Sequence, residues 1–330
     1  MMTTLYVTDQ GVTLSKTDGR IIVRKEKKLL QDIPAFQVSQ VVVFGNAYIT
    51  TPAVNFFLEK GIDVAYLSSF GKYRGRLQPD FCKDASLRQK QYERSLDPQF
   101  CLAVSKQIVT GKIENMIAFC QRQRQKGKET SSNIKLMEQG LKQVADAPNQ
   151  DSLWGYEGTA SATHFKLFRA FLHGDWGFNK RIAHPPTDPI NILLSLGYTL
   201  LYNAFFAAIN VVGLDPYMGF FHRLRHGHAT LASDLMEEFR SIIVDSVVLS
   251  AVNKGMIQKG DFNGKDGQIV FSQEGLKKFL QLYDQRVNAA ITHPQLKTQN
   301  SYRRCFELQV RHFARLIQGE DSVYYPFKVK

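Results

Sequence analysis

The sequence lacks the marks of a secreted or disulfide-stabilised protein. Its four cysteines, Cys82, Cys101, Cys120 and Cys305, form no CxxC pair, which is typical of reduced thiols in the cytoplasm and argues against a structural zinc site. The first residues, MMTTLYVTDQG, contain no basic segment followed by an apolar run, so no signal peptide is predicted. Neither an internal repeat nor a low-complexity tract is present. We therefore predict a cytoplasmic protein.

Acidic residues are scarce relative to basic ones. The chain has 42 Lys and Arg against 30 Asp and Glu, a formal net charge of +12. Such a charge favours a polyanionic partner such as nucleic acid, although an acidic membrane surface or an acidic protein would serve as well. The apolar fraction of 44% and the length of 330 residues are those of a folded protein with room for two domains.

Charge is absent from one long stretch, Ile190 to Val212. Its length alone would allow it to span a membrane. However, Asn191, Asn203 and Asn210 interrupt it, and Asp188-Pro189 in front provides an N-cap and a proline at the first helical position. We interpret it as the central buried helix of a large helical domain, with no membrane association.

The local patterns divide the chain into two regions and predict an α+β fold. Short β-prone runs separated by Gly, Asp and Asn fill residues 1–80, with Asp18-Gly19 as a hairpin turn. Long helical patterns fill residues 81–330, so an N-terminal β-rich domain should precede a larger all-α C-terminal domain. In the first domain, Tyr73, Arg74 and Arg76 predict a basic turn that is solvated or touches a phosphate.

Most of the candidate metal-binding side chains lie between Gly213 and Arg240. His222, His226 and His228 fall on a stretch rich in Gly and Pro, which favours a loop. Three acidic residues follow on an amphipathic helical pattern, where residues three and four apart are neighbours: Asp234, Glu237 and Glu238. Imidazole on a loop would then face carboxylates on a helix, a plausible geometry for a divalent metal. The alternative is a solvated helix face beside a polar loop.

A fourth acidic residue, Glu157, lies in the run GYEGTAS. It could cap the start of a helix. Alternatively, its small neighbours let a metal, backbone or DNA approach the carboxylate.

Basic residues are the candidates for contacting nucleic acid. The segment from Lys106 to Lys142 contains eight Lys and Arg, Lys112 among them, and predicts a basic surface or an ordinary solvated helix hairpin. The candidates for phosphate contacts are Arg122, Arg124, Lys126, Lys128, Arg181, Arg223 and Arg225. For Arg181 a salt bridge is an equally good interpretation.

Four motifs together resemble the CRISPR spacer-acquisition integrases, the Cas-one family. They are GYEGTAS around Glu157, PPTDPINILLSLGYTLLYNA from Pro185, GLDPYMGFFH up to His222 and DLMEEFR from Asp234. Their order and spacing make the resemblance specific. The segment VVVFGNAYITTPAVNFFLEKGIDVAYLS is similar to the family's N-terminal domain, so that the resemblance covers nearly the whole chain.

The resemblance implies a homodimer whose β-rich domain mediates dimerisation and whose helical domain is catalytic. It implies metal ligands Glu157, His222 and Glu237, with Asp234 as an auxiliary acid, and spacing alone would not select Glu237 over Glu238. The implied activity is metal-dependent nicking of DNA and insertion of spacer DNA by attack of a 3′-hydroxyl on the repeat. The implied partners are double-stranded DNA and a small ferredoxin-like protein, the Cas-two family.

The donor set suits Mg²⁺ or Mn²⁺, whereas three histidines could favour Zn²⁺. The chain departs from the family at Gly227-His228, where relatives commonly have Arg after the glycine. Two other functions stay open at this point: a catalytically silent DNA-binding scaffold, and a zinc hydrolase acting on a small molecule.

Overall fold

The computed structural model of the chain describes residues 3–80, 85–123, 128–183, 185–265 and 268–329. The N-terminal part is rich in strands and contains one α-helix. Its elements are β1 (Thr3–Val7), β2 (Val12–Thr17), β3 (Arg20–Lys25), β4 (Lys28–Pro34), β5 (Val38–Phe44), β6 (Ala47–Ile49), α1 (Thr51–Glu59), β7 (Asp63–Leu67) and β8 (Tyr73–Leu77).

These strands form two sheets that share one core. One sheet has the order β1-β5-β7-β8 and the other β4-β3-β2-β6. Leu14 of β2, Val41 of β5 and Phe57 of α1 are fully buried in the same apolar cluster. The predicted Asp18-Gly19 turn joins β2 to β3, and both residues adopt positive φ, 46° and 74°. That hairpin prediction is confirmed.

The C-terminal part is mostly helical, which confirms the predicted α+β class. Its helices are α2 (Ala85–Ser95), α3 (Pro98–Arg122), α4 (Lys128–Ala145), α5 (Gln150–Phe171), α6 (Pro189–Val212), α7 (Thr230–Met236), α8 (Ser246–Asn253), α9 (Gln273–Asn288) and α10 (Tyr302–Gln318). The region is not purely helical, because two hairpins interrupt it: β9 (Phe262–Lys265) with β10 (Gln268–Phe271), and β11 (Ala290–Thr292) with β12 (Gln299–Ser301).

Helix α6 is the central buried helix that the uncharged stretch predicts. Asp188 caps it by accepting a hydrogen bond from the Asn191 amide at 2.9 Å, and Gly213 ends it with φ 100°. By length and composition α6 could cross a membrane, but 72% of its apolar 18-residue stretch is buried inside the protein. Phe205 packs against Phe239 and Phe306 with ring centroids 5.3 and 5.0 Å apart. This is the packing of a core helix.

The amphipathic segment after His228 departs from a regular helix. Helix α7 is followed by a 3₁₀ turn, Glu237–Phe239, and a π-helical turn, Arg240–Asp245, before α8. The apolar residues of the predicted stripe, Leu231, Leu235, Phe239, Ile242 and Ile243, are all buried. The sequence period therefore predicts the buried face correctly, but it does not reveal the change of helical pitch, a feature that often marks functional sites.

The predicted basic turn at Tyr73 to Arg76 is wrong for Arg76. This residue lies on β8 with only 7% of its side chain exposed, 3.3 Å from the Asp63 carboxylate. Its guanidinium donates a hydrogen bond to Asn203 of α6 at 2.5 Å and packs over the Phe206 ring. Arg76 thus joins the β-rich part to the helical part, because a buried guanidinium needs both an anion and acceptors.

Candidate metal centre

Glu157 lies two turns into α5 rather than at its start. Asn149 is the N-cap, where its side chain accepts a hydrogen bond from the Ser152 amide at 2.9 Å, so the capping interpretation of Glu157 is wrong. One turn later, Ser161 donates its hydroxyl to Glu157 Oε1 at 2.6 Å. The same carboxylate oxygen forms an ion pair with Lys112 of α3.

His222 lies on the loop between α6 and α7 and is oriented by Asp234. Asp234 is fully buried and accepts from the His222 ring at Nδ1, 2.6 Å away, and from the backbone amides of Phe220, Phe221 and His222. At Gly219, a Cβ atom would lie 2.7 Å from Asp234 Oδ2, so this close approach requires glycine. With Nδ1 bound to the carboxylate, Nε2 is the nitrogen that is left to act as a ligand.

Glu237 occupies the 3₁₀ turn after α7 and faces three basic side chains. Its Oε1 accepts from Arg240 at 2.7 Å and lies 3.8 Å from His222 Nε2. Its Oε2 lies 2.6 Å from Lys112 Nζ. Among the described residues this buried oxygen has no hydrogen-bond partner of good geometry. We interpret the contact with Lys112 as an ion pair, because opposite charges attract strongly at 2.6 Å.

Lys112 is a residue of the centre that the sequence does not reveal. The basic-surface prediction includes it, but only 6% of its side chain is exposed, and it bridges Glu157 and Glu237 from the middle of α3. Its neighbours on the helix, Ile108, Val109 and Met116, are buried. A single charge inside an apolar helical stripe was the signal that could have identified it.

The electrostatics keep both carboxylates charged. Burial raises the pKa of Glu157, but the Lys112 charge and the Ser161 hydrogen bond outweigh burial, so its pKa is below the ordinary value. Burial also raises the pKa of Glu237, and the charges of Arg240, Lys112 and His222 overcome this and lower it to about 2. For His222, burial lowers the pKa and the bond to Asp234 raises it, with a net increase. An isolated acidic cluster would repel itself, whereas here cations balance the acids.

The three implied ligands converge, but they do not form a preassembled metal site. Among the described residues, no group of three or more His, Cys, Asp or Glu side chains is arranged to hold a metal ion. The Lys112 ammonium contacts both Glu157 and Glu237. The donor set nevertheless fits a divalent ion: two carboxylates, an imidazole with Nε2 facing Glu237, and an oxygen of Glu237 without a hydrogen-bond partner.

Glu238 faces away from this centre, towards residues 324–329, which we call the C-terminal strap. Its Oε1 accepts from the Tyr324 hydroxyl and its Oε2 from the Phe327 amide, both at 2.6 Å. The Asn115 side chain of α3 donates to the carbonyls of Glu238 and Phe327 and accepts from the Val329 amide. Glu238 therefore anchors the strap beneath the candidate centre.

The other two histidines of the loop do not join His222. His228 stacks on the Tyr202 ring with centroids 5.9 Å apart, and its Nε2 lies 2.9 Å from the Ser233 hydroxyl. His226 is exposed. Nothing in these contacts favours a three-histidine zinc site.

The predicted nucleic-acid contacts have different environments. Arg181 is half-buried and donates to Ile182 O, Asn191 Oδ1 and Ser195 Oγ, so it fastens the segment before α6 rather than facing solvent. Arg223 is 68% exposed and lies beside Asp151 and over Trp154.

Arg225 and Arg122 are exposed. Lys128 begins α4, and Arg124 and Lys126 lie outside the described residues. Exposed candidates thus remain on the loop beside His222 and at the end of α3.

Comparisons with known proteins agree in one family. A family model described as CRISPR associated protein Cas1 matches residues 5–285. The CRISPR-associated endonuclease Cas1 3 of Thermus thermophilus is 35% identical over 328 residues, 99% of this chain and 97% of that protein.

Solved structures share the fold. A chain of a Cas6-RT-Cas1–Cas2 complex superposes with a TM-score of 0.86 at 25% identity, covering 100% of this chain and 36% of that one. A casposase bound to integration product superposes with a TM-score of 0.86 at 20% identity, covering 98% of this chain and 93% of that one, which shows likeness of fold alone.

Proposed function

Because the chain belongs to the Cas1 family of CRISPR-associated proteins, we propose that it is a metal-dependent DNA endonuclease and integrase. It inserts spacer DNA into a CRISPR array by transesterification, in which a spacer 3′-hydroxyl attacks a phosphodiester of the repeat. The new phosphodiester joins spacer to repeat, and the broken P–O bond releases a 3′-hydroxyl on the repeat strand. The name of the Thermus relative, an endonuclease, supports the coarser part of this proposal, a nuclease or integrase role in CRISPR adaptation.

One observation carries the proposal: Glu157, His222 and Glu237 converge from three separate segments on one centre. These residues would hold Mg²⁺ or Mn²⁺, which when bound supplies polarisation of the scissile phosphate and balances the charge of the leaving oxygen. The histidine-rich loop contributes only His222, so the zinc hydrolase has no specific support.

The remaining residues of the centre orient the proposed ligands. Asp234 fixes the loop and the imidazole, so that Nε2 points towards Glu237. Arg240 fixes Glu237 through Oε1 and itself packs over the Tyr198 ring, 4.1 Å from its centroid. Such fixed geometry lowers the entropic cost of bringing the reacting groups together.

DNA would approach along the side of the centre that is open to solvent. His222 and Glu157 are 34% and 20% exposed, whereas Glu237 is 3% exposed. Gly155 and Gly158 flank Glu157 on α5, and a Cβ added at either would meet nothing within 4 Å. Arg223 and Arg225 follow His222 on the same loop and are the nearest candidates for phosphate contacts. We expect binding that weakens steeply with salt and depends little on sequence.

The proposed assembly is a homodimer that works with a Cas2-type partner. The solved Cas6-RT-Cas1–Cas2 complex supports such a partner. The role of the β-rich part in dimerisation and the cytoplasmic location belong to the same proposal.

The test is a strand-joining assay on a supercoiled plasmid that carries a repeat, with Mn²⁺ or Mg²⁺ against EDTA. We expect metal-dependent joining by the wild type and its loss in Glu157→Gln and His222→Ala. Glu238→Gln is the matched control, since Glu238 is equally buried but faces the C-terminal strap. Joining that persists in EDTA, or in Glu157→Gln, contradicts the proposal. A silent scaffold would bind DNA without joining it under any condition.

A further inference from the structure

Lys112 occupies the place where the two proposed carboxylate ligands meet. It extends from the middle of α3, its side chain is 6% exposed, and its ammonium contacts Glu157 of α5 and Glu237 of the 3₁₀ turn. A buried lysine is costly unless it is paired, and here both partners are side chains of the candidate metal centre.

The centre is already balanced in charge. Glu157 and Glu237 contribute two negative charges, Lys112 and Arg240 contribute two positive ones, and His222 forms a separate pair with Asp234. A divalent cation that entered this arrangement would leave a buried excess of positive charge. The excess disappears only if one basic side chain withdraws and a negative group joins.

We propose that Lys112 is an internal cation that takes the metal's place between Glu157 and Glu237. When metal and DNA bind together, its side chain moves and its ammonium pairs with a DNA phosphate instead. The inference rests on the proposed function and adds a residue that positions the ligands and then contacts the substrate. Arg240 is less suited to the exchange, because its guanidinium is fixed between Glu237 and the Tyr198 ring. The flexible stem of lysine allows its ammonium to move while its backbone stays in α3.

The consequence is coupling between the two ligands. Metal alone must displace Lys112 from both carboxylates, so it binds weakly. A phosphate that accepts the ammonium removes this competition, so DNA should tighten metal binding, and metal should tighten DNA binding by the same factor.

The experiment measures Mn²⁺ binding by isothermal titration calorimetry to the full chain, alone and with a short DNA duplex. The variants are Lys112→Met, which keeps an unbranched apolar stem and removes the ammonium, and Lys106→Met. Lys106 lies on the same helix but donates to Ala145 O, away from the centre. Thermal melts in EDTA and in Mn²⁺ provide a second readout without catalysis.

We expect Lys112→Met to bind Mn²⁺ at least about tenfold more tightly than the wild type without DNA. DNA should enhance Mn²⁺ affinity in the wild type and much less in this variant. The variant should melt below the wild type in EDTA, because Glu157 and Glu237 lose the cation that they share, and Mn²⁺ should narrow the difference in melting temperature. Lys106→Met should behave as the wild type does.

Mn²⁺ affinity in Lys112→Met that is equal to or below that of the wild type overturns the inference and leaves the proposed function standing. Absence of Mn²⁺ binding in every protein, with and without DNA, overturns both. If Lys112→Met does not fold, Lys112→Gln provides the same comparison, since its amide keeps a hydrogen-bond donor.

Discussion

Glu237 and Glu238 are adjacent in sequence and both almost fully buried, with 2% and 0% of the whole residue exposed, yet their environments are opposite. Glu237 faces Lys112, Arg240 and His222, and its pKa is lowered to about 2. Glu238 faces the C-terminal strap, where burial raises its pKa to about 8 despite hydrogen bonds from Tyr324 and Phe327.

The difference shows that burial alone does not assign a role to a carboxyl group. Cations keep Glu237 ionised and available to a metal. The donors around Glu238 are neutral groups, which do not compensate the cost of burying a charge, so the pKa of its carboxyl is raised. One glutamate therefore belongs to the candidate centre, and its neighbour belongs to the structure that supports it.

The largest expected effect is on strand joining. Glu237→Gln should reduce the rate more than about 1,000-fold, because it removes a charged ligand, leaves Arg240 without its anion and leaves Lys112 with Glu157 alone. Glu238→Gln should change the rate less than about threefold, since an amide can still accept from Phe327 and donate to the Tyr324 oxygen. Single-turnover joining rates measure both. Equal losses in the two variants would mean that the two environments do not differ in function.

For stability, in contrast to strand joining, we expect a large effect at Glu238. Glu238→Ala should lower the free energy of unfolding by about 2–4 kcal/mol, because it leaves the Tyr324 hydroxyl and the Phe327 amide buried without an acceptor. For this reason Ala at Glu238 is unsuitable as a neutral control for catalysis. Urea denaturation of Glu238→Ala beside Glu238→Gln measures the difference. A change below about 0.5 kcal/mol would show that the strap is not anchored by this carboxyl.

Because the pKa of Glu238 is raised in the fold, its contribution to stability should decrease as pH rises. The pKa of this carboxyl is 4.5 in the unfolded chain and about 8 in the folded protein, so the folded protein binds the proton more tightly. Its stabilising contribution is complete below about pH 4.5 and is lost as pH rises through about 8. The melting temperature of the wild type should therefore fall relative to Glu238→Gln by a few degrees over this window. A difference that stays constant with pH would contradict the pKa assignment.

The smallest effect is expected for basic residues that face solvent rather than a buried carboxylate. Arg225→Ala should reduce the slope of log affinity against log salt for duplex DNA by about 1, and leave Mn²⁺ affinity unchanged. Arg20→Ala, on strand β3, is a matched control because Arg20 pairs with Asp32. Fluorescence anisotropy across a salt series measures the slopes, and equal slopes in the two variants would remove Arg225 from the DNA-binding surface.

The sequence predicts much of the fold because local signals are strong where they occur. Asp188-Pro189 and the uncharged run define α6, and Asp18-Gly19 defines a hairpin. The π-helical turn at Arg240–Asp245 has no such signal, since its apolar residues keep a helical period. Tertiary packing rather than local preference sets that turn.

For the candidate centre, motif resemblance selected Glu237 over Glu238, and their side chains do face opposite ways. The same reasoning missed Lys112, because counting charges along a segment does not reveal which way each side chain points. It also missed Arg240 as the partner of Glu237. Residues that act through contacts between distant segments leave little trace in one sequence.

The C-terminal strap also imposes an order on protein synthesis. Tyr324 is made 86 positions after Glu238, which at ordinary elongation rates takes on the order of ten seconds. During that interval the nascent chain already contains Glu157, His222 and Glu237, but Glu238 lacks its two donors and Asn115 lacks Phe327 and Val329. The contacts of the strap with Glu238 and Asn115 therefore form only after the strap has left the ribosome. We expect a chain interrupted before Tyr324 to contain all its proposed ligands and yet to be inactive on DNA.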